Sequence, residues 1–98
     1  MRESQYQAKL IERLHQKFPG CVVIKNDPNY RQGFPDLLVL FEDRWAALEV
    51  KVRENAAIRP NQEYYVDSLG VMSYASFIFP ENEERVLDEI QQSFSYRG

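Results

Sequence analysis

Two carboxylates and an ammonium group lie where two short apolar segments of the chain meet. Asp36 is in the segment 33–41, and Glu49 and Lys51 are in the segment 46–51. Residues two apart on a strand point to the same face, so Glu49 and Lys51 share one face. Asp36 can then meet Glu49 across a pair of neighbouring strands.

This set of side chains suits the hydrolysis of a phosphodiester. Two nearby carboxylates repel each other, and a divalent cation removes that repulsion; Mg²⁺ is commonly held by one or two carboxylates, waters and phosphate oxygens. A lysine beside them can orient or deprotonate the attacking water and offset charge in the transition state. We therefore predict metal-assisted hydrolysis with Mg²⁺ or Mn²⁺ as the cofactor. The alternative is that Asp36 only begins a strand, and that Glu49 and Lys51 form a solvated pair.

The local pattern places these groups on a hairpin. Both segments are rich in β-formers, and the polar residues Glu42, Asp43 and Arg44 between them predict a turn. The rest of the chain predicts a helix over 3–18, a strand over 21–25, a loop over 26–33, a helix over 60–69 that ends at Gly70, a strand over 73–79 and a last helix from Pro80. The acidic residues of that last helix are predicted to lie on its solvated outer face.

Length and composition indicate one small globular unit. The chain has 98 residues, of which 44% are hydrophobic, and we expect a single domain over residues 1–98. The polar N-terminus is unlike a signal peptide, and no apolar run reaches the roughly 20 residues of a membrane helix, so no membrane partner is expected. The single cysteine, Cys21, excludes an internal disulfide and predicts a buried thiol. We expect a cytoplasmic protein of a bacterium or a phage-infected host cell.

The charged motif resembles that of a known group of enzymes. Pro35-Asp36, followed thirteen positions later by Glu49-Val50-Lys51, resembles the PD-(D/E)xK nuclease superfamily. The stretches 33–37 (Gly-Phe-Pro-Asp-Leu) and 59–62 (Arg-Pro-Asn-Gln) look like the virus-type replication-repair nuclease (VRR-NUC) domain, over nearly the whole chain. The resemblance implies an α/β fold with a restriction-endonuclease-like core, in which helices flank a mixed sheet of about four strands in the order α-β-β-β-α-β-α.

The resemblance also implies an activity and its residues. The expected enzyme is a Mg²⁺- or Mn²⁺-dependent endodeoxyribonuclease of the phage Holliday-junction-resolvase type, acting on branched DNA. The expected catalytic residues are Asp36, Glu49, Lys51, Glu3 and Gln62, and the expected metal ligands are Asp36, Glu49, the Val50 carbonyl and Glu3.

The first helix leaves the role of Glu3 open. Glu3, Gln7 and Leu10 lie along one line of that helix, which aims the carboxylate toward the sheet. As an alternative, Ser4 and Gln7 fit a capping box, which would put Glu3 just outside the helix. Gln7 is therefore either a site residue or part of a cap.

Five residues are candidates for contact with nucleic acid. An aromatic ring can stack on a base, and a guanidinium can hold a phosphate. The candidates are Gln7, Tyr30, Arg31, Arg53 and Arg59. Each arginine or tyrosine taken singly could instead be a solvated surface residue. The net charge of −3 argues against binding by bulk charge alone.

Several functions remain open from the sequence. One site cuts one strand, so a symmetric homodimer would present two sites to a branched substrate. The alternatives are a non-catalytic module that binds nucleic acid or a protein on the same fold, a nuclease directed at RNA, and a subunit whose partner supplies specificity.

Overall fold

A computed structural model describes residues 1–95, which form three helices and four strands. In chain order these are α1 (Glu3–Lys17), β1 (Val22–Lys25), β2 (Leu37–Phe41), β3 (Arg44–Val50), α2 (Pro60–Met72), β4 (Tyr74–Ile78) and α3 (Glu83–Ser95). The predicted element order is confirmed. Within residues 1–95, no helix is both long enough and apolar enough to cross a membrane.

The strands form one mixed sheet in the order β1-β2-β3-β4. β2 pairs antiparallel with both β1 and β3, whereas β3 and β4 are parallel. Parallel neighbours need a crossover connection, and α2 supplies it. The sheet therefore has the mixed, four-stranded character that was predicted, and its only parallel pair among the described strands includes the strand that carries Glu49.

One face of the sheet forms the hydrophobic core. Leu37 and Val39 of β2 and Leu48 and Val50 of β3 are fully buried on this face. Complete burial of such a side chain contributes about 1.5–3 kcal/mol relative to exposure. The same cluster contains Cys21, as predicted, and residues of α1 and α3 at helical spacing: Leu10, Leu14, Val86 and Ile90. Because α1 and α3 cover this face, Glu49, which alternates along β3 with Leu48 and Val50, must point to the other one.

The hairpin between β2 and β3 is tighter than predicted. Phe41 pairs with Arg44, so the turn contains only Glu42 and Asp43, and Arg44 belongs to β3. Glu42 has a φ of 56°, and two-residue hairpin turns commonly require such a positive φ. The short turn fixes the register of the pair to its far end, where Leu37 lies opposite Leu48.

The ends of two helices also differ from their predicted positions. α2 continues through Gly70 to Met72, and the Ser73 N–H closes its last turn on the Leu69 carbonyl. Gly70 does not end the helix, since α2 must run back along the sheet before β4 can enter parallel to β3. α3 begins at Glu83 and not at Pro80, because an intervening turn is held by the Phe79 N–H, which donates to Asn82 Oδ1 at 2.8 Å.

The prediction of a fully solvated acidic face on α3 is wrong for Glu83. Only 7% of Glu83 is exposed, and its Oε1 accepts a hydrogen bond from the Tyr6 hydroxyl at 2.7 Å. Its Oε2 forms an ion pair with Arg13. Burial, and next the bond to Glu83, raise the pKa of Tyr6 well above its usual value. Glu83 of α3 thus holds α3 against α1, the helix that carries Glu3.

Replacing Glu83 with alanine is expected to lower the free energy of unfolding by about 1–3 kcal/mol, because it leaves the buried Tyr6 hydroxyl without its acceptor. Urea unfolding monitored by circular dichroism measures this change. The matched control is Glu84→Ala, which removes an exposed carboxylate one position along the same helix. Equal midpoints for the two variants would contradict a stabilising role for Glu83.

Candidate active site

Asp36 and Glu49 lie side by side at the ends of neighbouring strands. The register pairs Leu37 with Leu48, and one further step in the same register sets Asp36 opposite Glu49. The two carboxyl groups are within hydrogen-bonding reach of each other. Asp36 is fixed by a second bond, since its Oδ2 accepts the Val50 N–H at 2.9 Å. The carboxylate pair that the sequence predicts is therefore present.

The pair is electrostatically costly when both groups are ionised. Glu49 is only 4% exposed, although it carries a carboxyl group. Burial, followed by the charge of Asp36, raises the pKa of Glu49 to about 8, while the charge of Lys51 acts in the opposite direction. Glu49 therefore holds a proton in the metal-free protein at neutral pH, and a cation that binds both carboxylates would displace that proton.

The raised pKa predicts a pH-dependent stability of the metal-free protein. Between about pH 5 and pH 8 the folded state holds the Glu49 proton and the unfolded state does not, so the free energy of unfolding falls as pH rises through this window. Urea unfolding in EDTA at several pH values measures the decline. In Glu49→Gln, which cannot titrate, the decline should be much smaller. Parallel curves for the two proteins would contradict the assignment of the proton to Glu49.

Gln62 connects the lysine to the carboxylate pair. Its Nε2 donates to Glu49 Oε2 at 3.1 Å, and its Oε1 accepts from Lys51 Nζ at 2.9 Å. Lys51 Nζ also donates to the Ala57 carbonyl at 3.0 Å and lies 3.9 Å from Glu49 Oε2. The structure thus brings together four of the five predicted catalytic residues: Asp36, Glu49, Lys51 and Gln62.

The start of α2 explains why the Gln62 side chain can contact both Lys51 and Glu49. Pro60 opens the helix, Arg59 is its N-cap, and the Arg59 N–H donates to Gln62 Oε1 at 3.0 Å. A glutamine at the third helical position commonly accepts from the N-cap N–H in this way. One amide group therefore caps α2 and faces Glu49, which fixes the helix start against the carboxylate pair.

Glu3 lies beside the pair but outside its hydrogen-bond network. α1 begins at Glu3 after the N-cap Arg2, and the Arg2 N–H donates to Gln5 Oε1 at 2.9 Å. The alternative capping box of Ser4 and Gln7 is therefore wrong, because the cap starts two residues earlier. Burial, then the charge of Asp36, raise the pKa of Glu3. Glu3 is therefore close enough to sense the charge of the pair.

Asp36 and Glu49 supply part of the ligand set that a divalent cation needs. Within residues 1–95, no three histidine, cysteine or carboxyl side chains form a complete ligand cluster. The opposed carboxylates of Asp36 and Glu49 are an arrangement that Mg²⁺ accepts, with waters and phosphate oxygens as its other ligands. In a strand, the N–H and C=O of one residue point to the same side. The Val50 carbonyl therefore points to the same side of β3 as the Val50 N–H, which donates to Asp36.

The predicted nucleic-acid residues are distributed unequally around the pair. A cavity of about 190 Å³ is lined by Asp36, Glu49, Gln62, Arg59 and Asn61. Of the five candidates, only Arg59 lines this cavity. Asn61 was missed as a site residue, although it belongs to the motif at residues 59–62.

The other four candidates lie farther out. Tyr30 is 86% exposed, and Arg31 Nη1 donates to the Tyr65 hydroxyl at 3.2 Å. Arg53 is exposed in the segment between β3 and α2. Gln7 is half-buried on α1, and its side chain has no hydrogen-bond partner in the described part of the chain. The structure therefore does not bring these four residues into the carboxylate cavity.

The backbone before Asp36 is held against α2. Gly33 has a φ of +84°, a conformation that favours glycine. A β-carbon at this position would lie 2.5 Å from Asn61 Cγ, so only glycine fits here without displacement of Asn61. The loop that delivers Asp36 therefore packs directly on the helix that delivers Gln62.

Comparisons with known proteins give structural neighbours only. No protein-family model matches the chain, and a search of curated proteins finds no match. A solved VRR_NUC domain protein aligns with a TM-score of 0.68 and 17% identity, over 95% of this chain and 88% of the other. A solved VRR_NUC domain aligns with the same TM-score and 26% identity, over 94% and 96%.

A third neighbour has a described substrate. Archaeoglobus fulgidus Hjc, a Holliday junction resolvase from an archaeal hyperthermophile, aligns with a TM-score of 0.56 and 14% identity, over 78% of this chain and 67% of the other. The chain therefore shares the PD-(D/E)xK, restriction-endonuclease-like fold with these proteins. The fold class that the motif and the element order predict is confirmed.

Proposed function

We propose that this chain is a divalent-metal-dependent endonuclease that hydrolyses DNA phosphodiester bonds, with branched DNA or a Holliday junction as its substrate. The observation that carries the proposal is the half-buried Asp36 opposed to the buried Glu49, which is joined through Gln62 to Lys51. A structural role for this group is a poor explanation, because the paired carboxyl groups repel each other when ionised and Glu49 is buried. The fold shared with VRR_NUC domains and a resolvase supports a nuclease.

Mg²⁺ or Mn²⁺ is the proposed cofactor, held by the carboxylates of Asp36 and Glu49. The Val50 carbonyl is a further proposed ligand, because it points to the same side of β3 as the N–H that donates to Asp36. Glu3 adds negative charge near the pair and is proposed to complete or support the site. When bound, the cation would polarise a phosphate oxygen and offset charge that develops during cleavage.

Lys51 and Gln62 are proposed to prepare the attacking water and the phosphate. An ammonium group has three N–H donors, and Lys51 uses two of them on the Ala57 carbonyl and Gln62 Oε1. Its third donor can reach a phosphate oxygen or a water beside Glu49. Gln62 holds Lys51 and Glu49 at a fixed separation, so the positive charge is preorganised and needs no rearrangement when the phosphate arrives.

The DNA strand is proposed to enter over the cavity that Arg59 and Asn61 line. Arg59 is exposed there and can hold a phosphate next to the scissile one. The proposed contacts farther along the DNA strand, on both sides of the carboxylate pair, are made by Tyr30, Arg31, Arg53 and Gln7. Contacts from arginine to phosphate fix the position of the strand without reading its sequence.

A homodimer is the proposed assembly on a junction. A four-way junction offers two equivalent strands, and a two-fold dimer would present one carboxylate pair to each. The known resolvase among the structural neighbours makes a junction the first substrate to test.

The proposal is tested by a cleavage panel. The full chain is incubated with Mn²⁺ and end-labelled single-stranded DNA, duplex, flap, four-way junction and the matching RNA strands. We expect cleavage of the branched DNA, with paired symmetric incisions in the junction, and no cleavage when EDTA replaces Mn²⁺. Binding without incision on any substrate would contradict the proposal and favour the non-catalytic module. Cleavage of RNA alone would reassign the substrate.

A further inference from the structure

A second cavity adjoins the carboxylate cavity and differs from it in chemistry. It measures about 160 Å³ and is lined by Asn26, Asp27, Tyr30, Arg31 and Phe34. Phe34 also lines the cavity that contains Asp36 and Glu49, so the two spaces share a wall. A nucleic-acid strand whose phosphate reaches the carboxylates can therefore also contact this second cavity.

The walls of the second cavity are held in place. Phe34 packs edge-on against Tyr65 of α2, with ring centroids 5.3 Å apart, and the Tyr65 hydroxyl accepts a hydrogen bond from Arg31. Asn26 Nδ2 donates to the Pro35 carbonyl at 2.7 Å, which ties the start of the loop to the residue before Asp36. The Phe34 ring and the Arg31 guanidinium are therefore positioned before any ligand arrives.

Its surface chemistry suits a base better than a phosphate. Tyr30 leaves 86% of its surface open to solvent, and the Arg31 guanidinium is also exposed. Aromatic rings and arginine planes stack on the faces of nucleobases. The carboxylate of Asp27 would repel a phosphate inside this cavity, but it can accept a hydrogen bond from a base amino group.

We propose that this cavity takes an unpaired nucleobase adjacent to the cleaved phosphate, which makes the enzyme selective for substrates with an unstacked nucleotide beside the cut. The inference rests on the proposed nuclease function for the position of the phosphate. A base inside a duplex has both faces stacked and its pairing edge occupied, so it must leave the stack to enter a protein cavity. Branch points, forks and flaps supply such a nucleotide at low cost, whereas an uninterrupted duplex does not.

The test measures binding in EDTA, so that its outcome does not depend on cleavage. Two DNA duplexes carry one 2-aminopurine at the same position, unpaired at a fork in one and paired in the other. With wild-type protein we expect tighter binding of the forked DNA by fluorescence anisotropy, and quenching of the unpaired analogue as it stacks. Tyr30→Ala should weaken forked-DNA binding by about 5- to 150-fold and change paired-duplex binding little.

The matched control is Tyr64→Ala. Tyr64 is also a largely exposed tyrosine, at 64%, but it does not line this cavity. We expect it to retain forked-DNA binding and quenching. Equal losses for both tyrosine variants, equal losses on both DNA substrates, or an unquenched analogue would overturn the proposal. A protein that binds neither DNA in EDTA would overturn it as well. Failure of the Mn²⁺ cleavage panel alone would count against hydrolysis and not against the base cavity.

Discussion

Glu49→Gln and Asp36→Asn should each reduce DNA cleavage by about 10³-fold or more while the fold is retained. Each substitution preserves side-chain size but removes one of the two charges that are proposed to hold the cation. The loss is of the order seen when a group that stabilises transition-state charge is removed. Single-turnover cleavage of a labelled four-way junction in Mn²⁺ measures the effect.

The control for this pair is Glu63→Gln. Glu63 follows Gln62 on α2 and is exposed, so the substitution removes one carboxylate near the site without touching the opposed pair. Its cleavage rate should match that of the wild type. Glu49→Gln should also unfold at higher urea than wild type in EDTA at pH 8, since burial of an ionised Glu49 is avoided. Full activity in both site variants would remove the basis for the nuclease assignment.

Lys51→Met is the second substitution with a large expected effect. It keeps most of the side-chain length but removes the ammonium group that donates to Gln62 and Ala57. We expect cleavage to fall by about 10²–10⁴-fold, the range for loss of a positioned acid–base or charge-stabilising group. The carboxylates remain, so Mn²⁺ binding should be retained.

Two measurements separate this role from a structural one. Mn²⁺ affinity is measured by electron paramagnetic resonance of the free ion, and cleavage is measured in parallel on the same protein. Lys9→Met, at an exposed position of α1, serves as the control and should leave both values unchanged. Loss of Mn²⁺ binding in proportion to cleavage would mean that Lys51 maintains the site and takes no part in the reaction.

The sequence was sufficient to predict the centre of the site because its determinants are local. Two apolar segments joined by a short polar turn favour a hairpin, and the period of two along a strand then decides which residues share a face. Asp36 and Glu49 are placed opposite each other by that register. Arg44 was wrongly assigned to the turn. This error left the predicted site unchanged, because Asp36 and Glu49 still lie opposite each other at the end of the hairpin far from the turn.

The contacts between distant segments could not be predicted in the same way. Glu83 looks like one more residue of an acidic helix face, and its partner Tyr6 is 77 positions away. Nothing in the spacing of either residue indicates that they meet. Gly70 is a similar case, because the helix stop that glycine favours is overridden by the length that the crossover to β4 requires.

Gln62 was predicted as a site residue from the resemblance to the VRR-NUC domain. Its position at the start of α2 also has a local cause in the sequence. The residue stands at the third position of a helix opened by Pro60, where a glutamine commonly caps the helix. The sequence does not show that this cap faces Glu49, since that depends on how α2 crosses the sheet. The contacts of Tyr65 were not predicted, because its hydroxyl and ring meet Arg31 and Phe34 in a loop of another segment.

The most direct test of the central claim is the position of Mn²⁺ in crystals of the full chain, located by anomalous diffraction. We expect an ion between Asp36 and Glu49, with one oxygen of each carboxylate at about 2.0–2.2 Å from it. An ion bound elsewhere at saturating Mn²⁺, with none between Asp36 and Glu49, would contradict the claim that these two carboxylates form a metal site.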